Sequence, residues 1–170
     1  MFKNFLWTSL LSATLALQLP SAQSNQLSAN DMDFIEYAGE VDLTAIHLGQ
    51  MAQMDAASQE VKNFALMVEQ EHTADLKKLT DIANKNGGIA PNTLDEVHMN
   101  VVKRLKKAKG KSFDHQFLKA IVNQHEHALV PFKHEADNGF NPDLQAYAKA
   151  VLPKLEEHLK EAKRLSSSVK

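Results

Sequence analysis

The sequence predicts an all-α protein: a ferritin-like four-helix bundle with an additional short crossover helix. Three observations predict it. Only 6 Gly and 5 Pro occur in 170 residues, a composition that favours helices over strands and turns. Apolar residues recur at spacings of three and four along four long segments and one short one. The breaks between segments carry helix punctuation, namely Ser58, Gly87-Gly88 with Pro91, Gly110, Gly139 and Asn141-Pro142. A chain of this length suits one domain with an ordinary core.

Residues 1–24 read as a signal peptide. Lys3 supplies the basic start, Phe5 to Leu19 an apolar run, and Pro20, Ser21, Ala22 and Ser24 a small-residue exit. Cleavage is expected between Ala22 and Ser24, and the mature protein is expected to be periplasmic or secreted. A retained anchor is the rival reading, but the run is short for a membrane span and no second one follows. No transmembrane segment is therefore expected after processing. The absence of cysteine excludes lipid attachment, a disulfide framework and c-type haem. Residues 25–30 form a tail, 31–165 the bundle domain and 166–170 a second tail.

Within the bundle, helix one is expected from about Asp31 to Ala56, with Asn30 or Asp31 as cap and Phe34, Ala38, Val41, Ala45, Leu48 and Ala52 on one face. Helix two follows Ser58 and reaches about Asn86, with Val61, Ala65, Val68, His72, Leu76, Leu79 and Ala83 inward. A short segment, Thr93 to Ala108, carries Leu94, Val97, Val101 and Leu105. The next long helix spans about Phe113 to Asp137 behind a Ser112 cap, with Leu118, Ile121, His125, Leu129, Phe132 and Ala136 on one side. The last begins at Pro142, a favoured first-turn residue, and frays at Ser166–Ser168. Short turns near Ala57 and Gly139 pair the long helices into two hairpins.

Several strings in this pattern resemble a known family. They are Glu71-His72-Thr73, Phe113-Asp114 through His125 to Phe132 and Glu135-Ala136, and Leu152-Pro153 followed by His158-Leu159. The chain is similar over about residues 31–165 to the bacterial domain of unknown function 4142, a family of exported ferritin-like bundles. Two departures stand out. Ala45 and His47 occupy the region where the family tends to carry Glu before its Leu-Gly pair, and its Asp-His pairs appear as Glu71-His72 and Gln124-His125.

The histidines carry the chemistry. At about 100° per residue, His72 and His125 lie central on their apolar stripes and His158 lies on the flank of its own. Neutral imidazole suits Zn, Cu or Fe, and Glu69, Glu71, Asp42 and Glu135 are acids able to complete a site. The competing reading is a layer of hydrogen-bonded imidazoles that fixes bundle register, and on sequence alone it weighs more. A di-iron centre needs two Glu-x-x-His pairs. Glu69 and His72 supply one, and neither His125 nor His158 supplies a second.

A second candidate set is His47, Met51 and Met54 on helix one, suited to copper(I) or, more simply, to packing under the crossover helix. The basic run from Lys103 to Lys111 reads as a solvated face. A formal charge of −2 gives no case for nucleic acid, and no catalytic motif is present. Two functions stay open: an exported metal-binding bundle, with a transition-metal ion as its cofactor, or a non-catalytic structural or interaction module of the envelope. In the second case the partner is another copy of the chain or an envelope protein.

Overall fold

In the computed structural model, which describes residues 27–169, the first helix, α1 (Ala29–Asp55), opens on a capping box. The Ser28 hydroxyl accepts the Asp31 N–H at 3.1 Å, and the Asp31 carboxylate accepts the Ser28 N–H at 2.8 Å. Asp31 is thus the reciprocal partner rather than the cap. α2 (Gln59–Lys85) starts behind Ser58 as expected. It ends at Gly87, whose φ of 78° lets the Gly88 N–H reach back to the Ala83 carbonyl at 2.8 Å.

The crossover helix α3 (Glu96–Leu105) is shorter than the stripe predicts. Asp95 caps it, accepting the His98 N–H at 2.7 Å, so Thr93 and Leu94 lie outside. Its inward residues are Val102 and Leu105, while Val97 is 70% exposed. α4 (Gly110–Asn138) begins ahead of the expected Ser112 cap, because Gly110 adopts a φ of 60° at the turn. α5 (Pro142–Ser168) is capped by Asn141 and stays helical through its terminal serines. Those serines bond back to the Lys163 and Arg164 carbonyls instead of fraying.

The four long helices form a bundle in which α1 neighbours α2 and α4, and α5 neighbours α4 and α2. α3 crosses over α1 and α4. Asp114 of α4 ties the first hairpin down by accepting the N–H groups of Ala57 and Ser58, both at 2.9 Å. Gly49 permits the close approach of α1 to α2: a Cβ there would lie 2.9 Å from the Ala65 carbonyl oxygen. No strand occurs among the described residues.

The apolar interior comes in two halves. One gathers Leu48, Phe64, Val68, Phe113, Phe117, Ile121 and Leu165. The other gathers Phe34, Ile35, Leu79, Phe132, Leu144 and Leu155. Between them lies a buried polar layer made of Asp42, His72, Asp75, His125 and His158. Asp75 takes the inward position that the sequence assigns to Leu76, and Leu129 is likewise only half-buried beside Ala128. The apolar stripes of α2 and α4 are each displaced by one residue beside the polar layer. Ile121→Ala, at a fully buried site, should therefore cost about 2–5 kcal/mol. Leu76→Ala should cost about 1 kcal/mol, because much of that side chain is already wet. Urea unfolding of the two variants checks the order.

Candidate metal centre

Each long helix contributes to the polar layer near its middle, where the backbone is most regular and the side chains are held by packing on both sides. α2 supplies His72, α4 supplies His125, α5 supplies His158 and α1 supplies Asp42. The three imidazoles are at most 1% exposed and offer ligand atoms that all lie within 4.8 Å of one another. His72 Nε2 stands 3.4 Å from His125 Nε2, and His125 Nε2 stands 3.3 Å from His158 Nδ1. His158 is therefore fully inward, not on the flank that its helical phase implies.

The outer ring nitrogens assign the tautomers. His72 Nδ1–H donates to Asp42 Oδ1 at 2.7 Å, and Asp42 Oδ2 accepts the Tyr147 hydroxyl at 3.1 Å. His125 Nδ1–H donates to the Ile121 carbonyl at 2.9 Å. With both outer nitrogens protonated, the two Nε2 atoms of the neutral rings face each other as bare lone pairs. His158 turns its Nε2 toward Glu71 Oε2 at 3.3 Å, a contact outside hydrogen-bond geometry, and its Nδ1 toward the other two rings.

The bare Nε2 atoms of His72 and His125 repel one another unless something positive sits among them, either a proton on His158 Nδ1, 3.3 Å from His125 Nε2, or a bound cation. Nitrogens bound to one ion at about 2.0–2.1 Å with tetrahedral angles stand about 3.3–3.4 Å apart, which is the spacing of His125 Nε2 from each of the other two nitrogens. Asp42 behind His72 is the carboxylate–histidine arrangement that orients a metal-bound imidazole and raises its basicity. Burial also keeps the His125 and His158 rings neutral. Desolvation, reinforced by His72 and His158, pushes His125 well below the ordinary imidazole range. Desolvation, with smaller contributions from His72 and Lys154, lowers His158 to about 3. Burial pushes the Asp42 carboxyl up, partly offset by His72.

A depressed imidazole pKa contributes stability that is complete above the unfolded value near 6.5 and drains away as pH falls toward the folded value. Metal-free protein should therefore lose stability between about pH 6.5 and pH 4, since the unfolded chain binds more protons there. Asp42, with its raised pKa, carries the opposite sign. His158→Leu isolates the imidazole contribution: its stability–pH slope in that window should be shallower by up to about 1.4 kcal/mol per pH unit. Denaturant midpoints across the window give the slope directly.

The other predicted residues lie elsewhere. Glu69 pairs with Gln53 on α1. Glu135 sits ten residues beyond His125, about 15 Å along α4, where it lines a separate pocket with Asp31 and Gly139. Neither shares the centre formed by the three imidazoles. On α1, Met51 is buried in the core while His47 and Met54 face outward, Met54 with 76% exposure. Asp42, which the sequence offers only as one of several acids, is the group in contact with His72. Tyr147 was missed, and its spacing of three from Leu144 and four from Val151 on an apolar stripe gave no polar signal. A second gathering, Glu40, Asp95 and His98, is the cap of α3, with the Asp95 N–H held by the Glu40 carboxylate.

The model of the family described as domain of unknown function DUF4142 matches residues 16–165. The chain belongs to this family. The match starts well before Asp31, where the similarity of individual motifs begins. Two solved structures share the fold of this DUF4142 protein. A DUF305 fragment from Deinococcus radiodurans superposes with a TM-score of 0.74 at 12% identity, covering 84% of this chain and 99% of its own. CopM in its silver-bound form superposes with a TM-score of 0.67 at 19% identity, covering 81% and 96%. No curated protein matches the chain. Among the described residues, no helix is long and apolar enough to cross a membrane.

Proposed function

We propose that this DUF4142 protein is an exported, non-catalytic metal-binding bundle that holds one transition-metal ion on His72, His125 and His158. The observation that carries the reading is the convergence of three buried imidazole nitrogens within 4.8 Å, with His125 Nε2 3.3–3.4 Å from each of the other two, and with the His72 and His125 rings each backed by an acceptor on the far side. Such a set would hold the ion through nitrogen alone, with Asp42 and Glu71 in contact with the rings. Imidazole ligands without a directly placed carboxylate favour Zn or Cu over Fe. A bundle of the same fold has been solved in a silver-bound form, which is in keeping with metal binding by this fold.

Titration calorimetry with Zn(II) and elemental analysis of the native protein test this together. One ion per chain is expected, with affinity falling in acid as the ligands protonate. No binding at micromolar protein would leave the register-fixing reading of the histidines in its place. The export reading rests on the basic start, apolar run and small-residue exit of residues 1–24, which lie outside the described residues. Intact mass of secreted or periplasmic material should show loss of roughly two dozen residues. A full-length mass in a membrane fraction would favour the retained anchor.

A further inference from the structure

Two of the three groups that touch the imidazole nitrogens from outside are sealed in the interior. Asp42 is 0% exposed and Tyr147, behind it, 5%, while the Ile121 carbonyl belongs to a fully buried residue of α4. Glu71 differs. Its side chain is 38% exposed, yet Oε2 lies 3.3 Å from the buried Nε2 of His158. Among the described residues it is the one polar group that both meets solvent and touches the centre. A groove of about 590 Å³ between α2 and α5, lined by Phe64 with Glu157, Lys160, Glu161 and Arg164, lies beside this contact, and Phe64 stands edge-on to the His158 ring at 6.2 Å. Met67, one helical turn before Glu71, lines it as well, and Glu157 immediately precedes His158.

The contact has the geometry of two ligands and not of a hydrogen bond. His158 Nε2 finds no hydrogen-bond partner, and a nitrogen and an oxygen bound side by side to one ion at about 2.0–2.2 Å stand near 3.3 Å apart. His158 thus presents one nitrogen to the buried centre and the other to an exposed carboxylate. On the neighbouring flank Lys154 is held by Asp75 at 2.6 Å, so a cation approaching there meets positive charge. Glu71 is the acid that faces it on the open side.

We infer that His158 Nε2 and Glu71 Oε2 form an outer capture position through which a metal cation reaches the three-histidine centre from the solvent side of the α2–α5 contact. The inference rests on the metal-binding reading above and assigns Glu71 a role in uptake, distinct from that of a ligand in the filled centre. A carboxylate at the mouth of a path accelerates cation arrival in both directions, so it changes rates while leaving the equilibrium in place.

Stopped-flow absorbance with Co(II), which gains visible bands on entering a tetrahedral nitrogen site, tests it. Glu71→Gln should slow Co(II) uptake by about tenfold or more, and release to EDTA by the same factor, with final spectrum and stoichiometry unchanged. Glu156→Gln, which removes an exposed α5 carboxylate, should leave both rates as in wild type. Wild-type rates in Glu71→Gln would overturn the proposal, as would equal slowing in both variants. An altered final spectrum in Glu71→Gln would also overturn it, by making Glu71 a resting ligand. Failure of the wild type to bind Co(II), Zn(II) or Cu(II) would instead remove the metal-binding reading itself.

Discussion

Replacing His72 and His125 together with alanine should abolish metal-dependent stabilisation while leaving the helical content intact. In wild type, free Zn(II) at 100 times its dissociation constant adds about 2.7 kcal/mol to the folded state. For a bundle of this size that corresponds to a rise in Tm of roughly 10 °C. The double variant keeps only His158, which cannot hold the ion alone, so its Tm should not move with Zn(II). Without metal the variant should lose some stability, because Asp42 then keeps only the Tyr147 hydroxyl as partner. His125→Leu separates the two effects. It removes one of the mutually facing lone pairs, fills the space and should be nearly neutral without metal, yet it too should lose the shift. Scanning calorimetry with and without Zn(II) reads both quantities. A full Zn(II) shift in the double variant would place the ion elsewhere on the chain.

Lys154→Met should destabilise the metal-free protein by about 3 kcal/mol. Asp75 is 2% exposed and is matched by the Lys154 ammonium, which reaches both carboxylate oxygens at 2.6 and 2.8 Å. Removing the cation leaves a buried carboxylate uncompensated, close enough to Asp42 to push its carboxyl up further. Breaking a buried pair from one side costs about 3–5 kcal/mol. The lower end applies because Lys154 retains 31% exposure. The double variant Asp75→Leu/Lys154→Met should recover most of the loss, since an apolar pair of similar volume replaces the ion pair. Urea unfolding of the three proteins forms the cycle, and a double variant as unstable as Lys154→Met would show that Asp75 has a partner besides Lys154.

Much of the fold was legible because it depends on repetition. Residues spaced at three and four along α1, α2, α4 and α5 are many, and a single displaced residue changes the average little. Ser58, Gly87 and Pro142 marked boundaries through local chemistry that needs no distant partner. The short α3 was less legible, since fewer than three turns carry too few residues to fix a phase and Asp95 competes with Thr93 as its start. The site was legible in part. His72 and His125 stood out as polar residues at the centre of apolar stripes, while His158 needed the actual phase of α5 to become inward. Asp42 could not be singled out, because which acid meets an imidazole on another helix depends on the vertical register of α1 against α2. Asp75 was hidden for a similar reason: Lys154 comes from α5, and no spacing along α2 reveals a cation that will neutralise it.

The polar layer that parts the interior into two apolar halves bears on how the molecule opens. Each half is a hydrophobic unit of its own, joined to the other through the backbone and through contacts among Asp42, the histidines and Asp75. In metal-free protein such halves should behave as separate units in native-state hydrogen exchange, with amides near Phe113 and Phe117 reporting a different opening free energy from those near Phe132 and Leu144. An ion held by α2, α4 and α5 at once would bind only when both halves are closed. It would raise the lower opening free energy toward the higher, so that exchange on the two sides of the layer becomes one cooperative event.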